Sequence, residues 1–169
     1  TRAEPDVRLA VREAVPEAQE HELARLVWVA RAVPEARGLV TIVSGGTSDG
    51  RVVHEARIRA ELLGTSVVVH EDVGVAGLHR LAVALPDLER ADCVVVAAGM
   101  DAALASVVGG LAAAPVIGIP TSVGYGVAEG GRTALNAMLA SCAAGLAVVG
   151  IDDGLGAGTI AARIARGRE

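Results

Sequence analysis

Small hydroxyl, carboxylate and glycine residues gather at five points of this chain: SGGTSDG (44–50), EDVGVAG (71–77), AGMDAA (98–103), PTSVGYGVAEGG (120–131) and DDGLGAG (152–158). In the first, Gly45 and Gly46 allow close backbone approach and positive φ. Thr47 and Ser48 add hydroxyl donors. A helix starting behind them would aim free N–H groups at an anion. Asp49 could cap that helix or hold a ribose hydroxyl. On these residues alone, an anion cradle and a plain capped turn both stay open.

The 120–131 loop exceeds the roughly 2–6 residues usual between a strand and a helix. Thr121 and Ser122 stand just after an apolar run, and Tyr125 lies between Gly124 and Gly126. This stretch reads as a binding loop or a subunit contact. Asp101 falls in a first helical turn, where the dipole stabilises a carboxylate; an acid/base role is the sharper alternative. His79 is either ligand-facing or solvated, and Arg80 beside it suits a phosphate or carboxylate. Asp152 and Asp153 read first as caps of the last helix, and second as ligands of a ribose or Mg²⁺. Cys93 opens the apolar run CVVVAA and reads as inert core. Cys142, in LASCAAGL, ends a helix, where the dipole disfavours a thiolate. Its local sequence alone does not make it a nucleophile.

Composition removes several function classes. All 15 basic residues are Arg, so a Schiff-base lysine and a Walker-type lysine are excluded. The net charge of −5, with no basic cluster, argues against nucleic acid. Trp28 and Tyr125 are the only aromatics besides histidine, too few for a base-stacking platform. The two cysteines and four histidines are scattered, so no structural zinc site is expected. No apolar run reaches the roughly 18 residues of a membrane span. The start TRAEPDVR has no signal-like apolar region, and the cytoplasm is the default expectation.

The elements that must position these clusters follow from the apolar pattern. Strand-like runs cover 38–43, 65–70, 92–98, 115–119 and 146–151. Helix-like segments cover 52–63, 77–85, 102–111, 132–141 and 159–166, with Gly64 placed as a helix C-cap. Short continuous apolar strands alternating with helices predict a doubly wound α/β domain with a five-stranded parallel sheet. Ligands of such sheets bind at the carboxyl ends of the strands, where all five clusters fall. Residues 7–15 suggest a short helix and 24–30 a strand, with too few partners for a core. Without an initiator Met, residues 1–37 are expected to be the remnant of a preceding domain plus linker, and 38–169 the catalytic domain.

Taken in order, VSGGTSDG, DVGVAGLHRL, VAAGMDAALASVVGGL, APVIGIPTSVGYG and GGRTALNAMLASCAAGLAVVGIDDGLGAG resemble the LarB family, the carboxylase/hydrolase of nickel-pincer nucleotide cofactor biosynthesis. The resemblance runs from about Val43 to Gly158. It implies a PurE-like, flavodoxin-like three-layer α/β/α sandwich. It implies nicotinic acid adenine dinucleotide as substrate, with CO₂ or bicarbonate as co-substrate, no tightly bound cofactor, and Mg²⁺ for hydrolysis. The pyridinium would be carboxylated at C5 and the phosphoanhydride hydrolysed, giving pyridinium-3,5-biscarboxylic acid mononucleotide and AMP. An electron-poor ring does not attack CO₂; a thiolate added to it would give C5 enamine character. Cys142 matches the family's nucleophile and Asp101 its acid/base carboxylate, with Asp where relatives carry Glu.

The same resemblance implies substrate contacts at Gly45, Gly46, Thr47, Ser48, Asp49, Asp72, His79, Gly99, Met100, Thr121, Ser122, Val123, Gly124 and Tyr125. It assigns no metal-ligand residues. It implies a homo-octamer whose subunits complete each other's sites. Two alternatives stand beside it: an aminoimidazole ribonucleotide carboxylase of purine synthesis, though EDVGVAGLHRL lacks the SAHRTP-like segment of those enzymes, and an inactive nucleotide-binding module.

Overall fold

The computed structural model describes residues 1–167. Five parallel strands form the sheet: β3 (Leu39–Ser44), β4 (Ser66–His70), β5 (Cys93–Ala98), β6 (Val116–Pro120) and β7 (Leu146–Val148), in the order β4-β3-β5-β6-β7. They are preceded by α1 (Pro5–Ala14) and an antiparallel pair, β1 (Gln19–His21) with β2 (Leu26–Trp28). Helices α2 (Gly50–Leu62), α3 (Leu85–Arg90), α4 (Ala103–Leu111), α5 (Arg132–Leu139) and α6 (Gly154–Ala165) cover the sheet. This is the flavodoxin-like α/β fold.

Alternation along each strand divides the core in two. Val40, Ile42, Val95 and Ile119 face α2 and α6, meeting Val53, Ala56, Ala157 and Ala161. Val43, Val94, Val96 and Val116 face the opposite layer, meeting Leu88, Leu104, Val108 and Met138. Both faces are dry, which is why the strands read as unbroken apolar runs rather than alternating ones. The α2–α6 contact is close because Gly154 and Gly158 carry no side chain. A Cβ on them would lie 2.5 Å from the Val52 carbonyl oxygen and 2.4 Å from that of Ala56.

Three expectations shift. The segment expected as a helix over 77–85 is a 3₁₀ stretch, Val75–Ala84, broken at Gly77, and α3 starts only at Leu85. The last helix begins at Gly154 rather than 159, so the glycines of DDGLGAG are mostly helical packing residues. Strand β7 stops at Val148 instead of 151. Gly64 does hold the left-handed conformation (φ 77°) just past α2, as a C-cap requires. In the N-terminal segment, Ala24 and Leu26 are buried against Ile58 of α2, with Trp28 packed beside them.

Candidate active site

The chain runs from β3 outward to β4, then crosses back to β5 on the other side of β3. This reversal leaves a crevice beyond the carboxyl ends of β3 and β5, the place where such sheets bind ligands. A cleft of about 260 Å³ lies there. Gly45, Gly46, Ser48 and Asp49 form one wall, Gly99 to Leu104 another, and Gly74 to Ala76 with Val123 close the sides.

Local sequence explains the shape. A Cβ on Gly74 would lie 2.3 Å from the Gly45 carbonyl oxygen, and one on Gly99 would lie 2.0 Å from that of Val123. Only glycine lets these loops touch. Asp72, Met100, Ala102 and Asp152 hold positive φ (58°, 54°, 51° and 59°) without being glycine. Strained backbone of this kind concentrates at functional sites, and all four residues sit on this one edge of the sheet.

Asp49 is buried (4% exposed) and faces the cleft. One oxygen accepts from the Thr121 hydroxyl at 2.7 Å and the other from the Gly46 amide at 2.9 Å. Burial pushes its pKa up, the two hydrogen bonds pull it down, and nearby Asp152 pushes it up again. It does not cap α2 through its side chain, contrary to one sequence reading; it braces the Gly46–Asp49 turn and leaves the first amides of α2 without a side-chain cap. Asp101 is exposed on the cleft rim, and its carboxylate accepts from the Ala103 amide at 3.2 Å, the first turn of α4.

Among the described residues no Arg or His lines this cleft, whereas two carboxylates do. The nearby guanidiniums are paired: Arg80 with Asp72 at 2.7 Å and Arg51 with Asp152 at 2.9 Å.

The structure thus brings Gly45, Gly46, Ser48, Asp49, Gly99, Met100, Asp101 and Val123 to one cleft. Thr47 is exposed beside it, Thr121 is buried behind Asp49, and Ser122 binds Asp152. Asp72 faces Arg80, while His79 and Tyr125 are solvent-exposed outside the lining. Gly124 packs on the Ala128 carbonyl. Cys142 is not brought to the cleft. It is exposed on the loop between α5 and β7, which in a parallel sheet lies at the amino end, opposite the cleft. Cys93 is buried, with its thiol pushed up to about 12, chiefly by burial.

Sequence reasoning paired Asp152 with Asp153 as a helix cap or a ribose or Mg²⁺ ligand and missed its bonds to Ser122. Asp153, not Asp152, caps α6, accepting from the Gly156 amide at 2.7 Å. Asp152 instead binds Ser122 through both backbone and side chain. Its carboxylate is therefore occupied, and among the described residues no group of three or more His, Cys, Asp or Glu is placed to hold a metal. No helix among the described residues is long and apolar enough to cross a membrane.

A glycine-walled cleft with two carboxylates, at the switch point of a flavodoxin-like sheet, defines an α/β protein with a candidate ligand site at that edge. Residues 39–169 match the family described as AIR carboxylase, and the chain belongs to that family. Membership points to a carboxylase-related enzyme. The same domain is 46% identical over 131 residues to an uncharacterized protein of Methanocaldococcus jannaschii, covering 76% of this chain and 50% of that one. The chain therefore spans about half the length of that relative. PurE of Treponema denticola is similar in structure (TM-score 0.60, 21% identity, 76% of this chain and 80% of that chain). So is a variant of PurE2 from the same organism (TM-score 0.61, 22% identity, 76% and 79%). At these identities the likeness concerns the fold.

Proposed function

We propose that the chain carboxylates the pyridinium ring of nicotinic acid adenine dinucleotide and hydrolyses its phosphoanhydride. The observation that carries this reading is electrostatic: among the described residues the cleft is lined by Asp49 and Asp101 and by no cationic side chain. Such a site favours a positively charged ring and disfavours a phosphate at the same spot. The phosphate then belongs outside it, beside the exposed Thr47 and Ser48 hydroxyls.

In this reading a thiolate adds to the ring and neutralises it, and C5 of the resulting dihydropyridine attacks CO₂. Asp101 takes the C5 proton, the thiolate leaves, and aromaticity returns. Water cleaves the phosphoanhydride and AMP departs. Cys142 supplies the thiolate, and since its own chain holds it away from the cleft, it comes from a neighbouring copy. Its exposure, with exposed Leu139 three residues before it, supports that role.

The test is direct. The protein is incubated with nicotinic acid adenine dinucleotide and bicarbonate, and products are read by mass spectrometry. Dicarboxylated mononucleotide with AMP is the expected result. Turnover of aminoimidazole ribonucleotide instead would replace this reading with the purine-type carboxylation that family membership equally supports.

A further inference from the structure

Asp152 touches none of the residues assigned to chemistry, yet its carboxylate is the most heavily used at the carboxyl edge. One oxygen accepts from the Ser122 amide at 2.9 Å, and the other accepts from the Ser122 hydroxyl at 2.7 Å and forms an ion pair with Arg51 at 2.9 Å. Its own amide donates to the Pro120 carbonyl at 2.9 Å, tying the chain beyond β7 to the end of β6. It does this from a left-handed backbone, a conformation that Asp tolerates better than most residues.

What Asp152 holds is a hub. Thr121 donates its amide to Ala98 at 3.0 Å and its hydroxyl to Asp49. Val123 accepts from the Met100 amide at 3.1 Å. Residues 121–123 therefore fix the buried carboxylate on one side of the cleft and the Met100–Asp101 turn on the other. Ser122, between them, has its amide and hydroxyl both on Asp152. Arg51 ties the same carboxylate to the first turn of α2, directly after the Gly46–Asp49 turn.

We infer that Asp152 is a positioning residue that sets the distance between Asp49 and Asp101 by clasping Ser122. Displacements of about 1 Å at a reacting group cost on the order of 100-fold in rate, so a staple of this kind acts on turnover rather than on binding alone. The inference rests on the proposed reaction only for its kinetic arm; the structural arm stands without it.

The structural arm is amide hydrogen exchange in the ligand-free protein. Asp152→Ala speeds exchange of the Met100 amide about tenfold or more, because the Val123 carbonyl loses its anchor. Asp152→Asn keeps an acceptor for the Ser122 amide and holds Met100 exchange within about threefold of the unchanged protein. Unchanged exchange at Met100 in Asp152→Ala overturns the inference. If that variant does not fold, Ser122→Ala decides: faster Met100 exchange supports the clasp and unchanged exchange refutes it. In the kinetic arm, Asp152→Ala lowers kcat at least tenfold with KM changed far less, and Asp152→Asn restores most of it. Equal losses in both variants, or a change in KM alone, also overturn it. If the unchanged protein turns over aminoimidazole ribonucleotide instead, the proposed function fails while the exchange result still judges the clasp.

Discussion

The Thr121 hydroxyl donates to the Asp49 carboxylate over 2.7 Å, joining residues 72 positions apart across the mouth of the sheet. Asp49 is 4% exposed, so the bond replaces water that the carboxylate cannot reach. Removing the hydroxyl in Thr121→Val leaves a buried acceptor short of a partner, which costs about 1–3 kcal/mol. Denaturant unfolding checks this; a variant as stable as the parent would show the bond to be idle.

Asp49 also gives stability a pH dependence of definite sign. Burial raises its pKa in the folded protein, so the fold retains this proton where the unfolded chain has released it. Its contribution is full below the ordinary carboxylate value of about 4 and is lost as pH rises through the raised folded value. Asp49→Asn removes that loss. Measured by denaturation across this window, the variant should gain on the parent as pH rises; the opposite slope would contradict a buried, raised carboxylate.

Much of this architecture is legible in the sequence. CVVVAA and VIGIP read as buried strands because both sheet faces are covered, and the parallel order then puts every loop cluster on one edge. The helical glycines mislead. In GLGAG the residues look like a loop, yet Gly154 and Gly158 are small because α2 crosses there, a fact of packing and not of local propensity. The Thr121–Asp49 and Ser122–Asp152 bonds are invisible for another reason: they join loops whose proximity exists only once strand order is known. That order also places Cys142 at the amino end of the sheet, as soon as β7 is recognised as parallel.

Gly158 offers a reversal of propensity. In an exposed helix interior, Gly→Ala gains roughly 1 kcal/mol. Here the new Cβ would stand 2.4 Å from the Ala56 carbonyl oxygen and 3.0 Å from its Cα. Backbone cannot yield as a side chain can, so Gly158→Ala should destabilise by about 1–3 kcal/mol. A stabilised variant would mean that α2 and α6 are not held at this distance.

The N-terminal hairpin carries a second titration. The rings of His21 and His54 lie 4.8 Å apart, and Ala24 donates its amide to His21 Nδ1. Burial lowers the pKa of His21, and the charges of His54 and Arg57 lower it further. The folded hairpin therefore prefers neutral His21. Its contribution is present above about pH 6.5 and is lost as pH falls through the depressed folded value. Trp28, the sole tryptophan, packs in the same cluster. Its emission should shift to the red as pH falls below about 6.5, and His21→Phe should flatten that response. A pH-invariant spectrum in the parent would dissociate the histidines from the docking of this hairpin.

The separation of Cys142 from Asp101 in one chain makes a prediction about mixtures. Cys93 is fully buried with its thiol raised to about 12, and Cys142 is exposed, so a thiol reagent at neutral pH should modify Cys142 alone. In the proposed reaction Cys142→Ala and Asp101→Asn are each inactive. If the thiol and the carboxylate of one site come from different copies, subunit exchange between the two variants creates sites with both groups intact. Random mixing of equal amounts places the two intact groups together in roughly a quarter of the sites of a symmetric assembly, and activity should return to about that level. Mixtures that stay inactive after verified subunit exchange would mean that both groups act within one chain, and Cys142 would then have to travel from the amino end of the sheet to its carboxyl end, past β7.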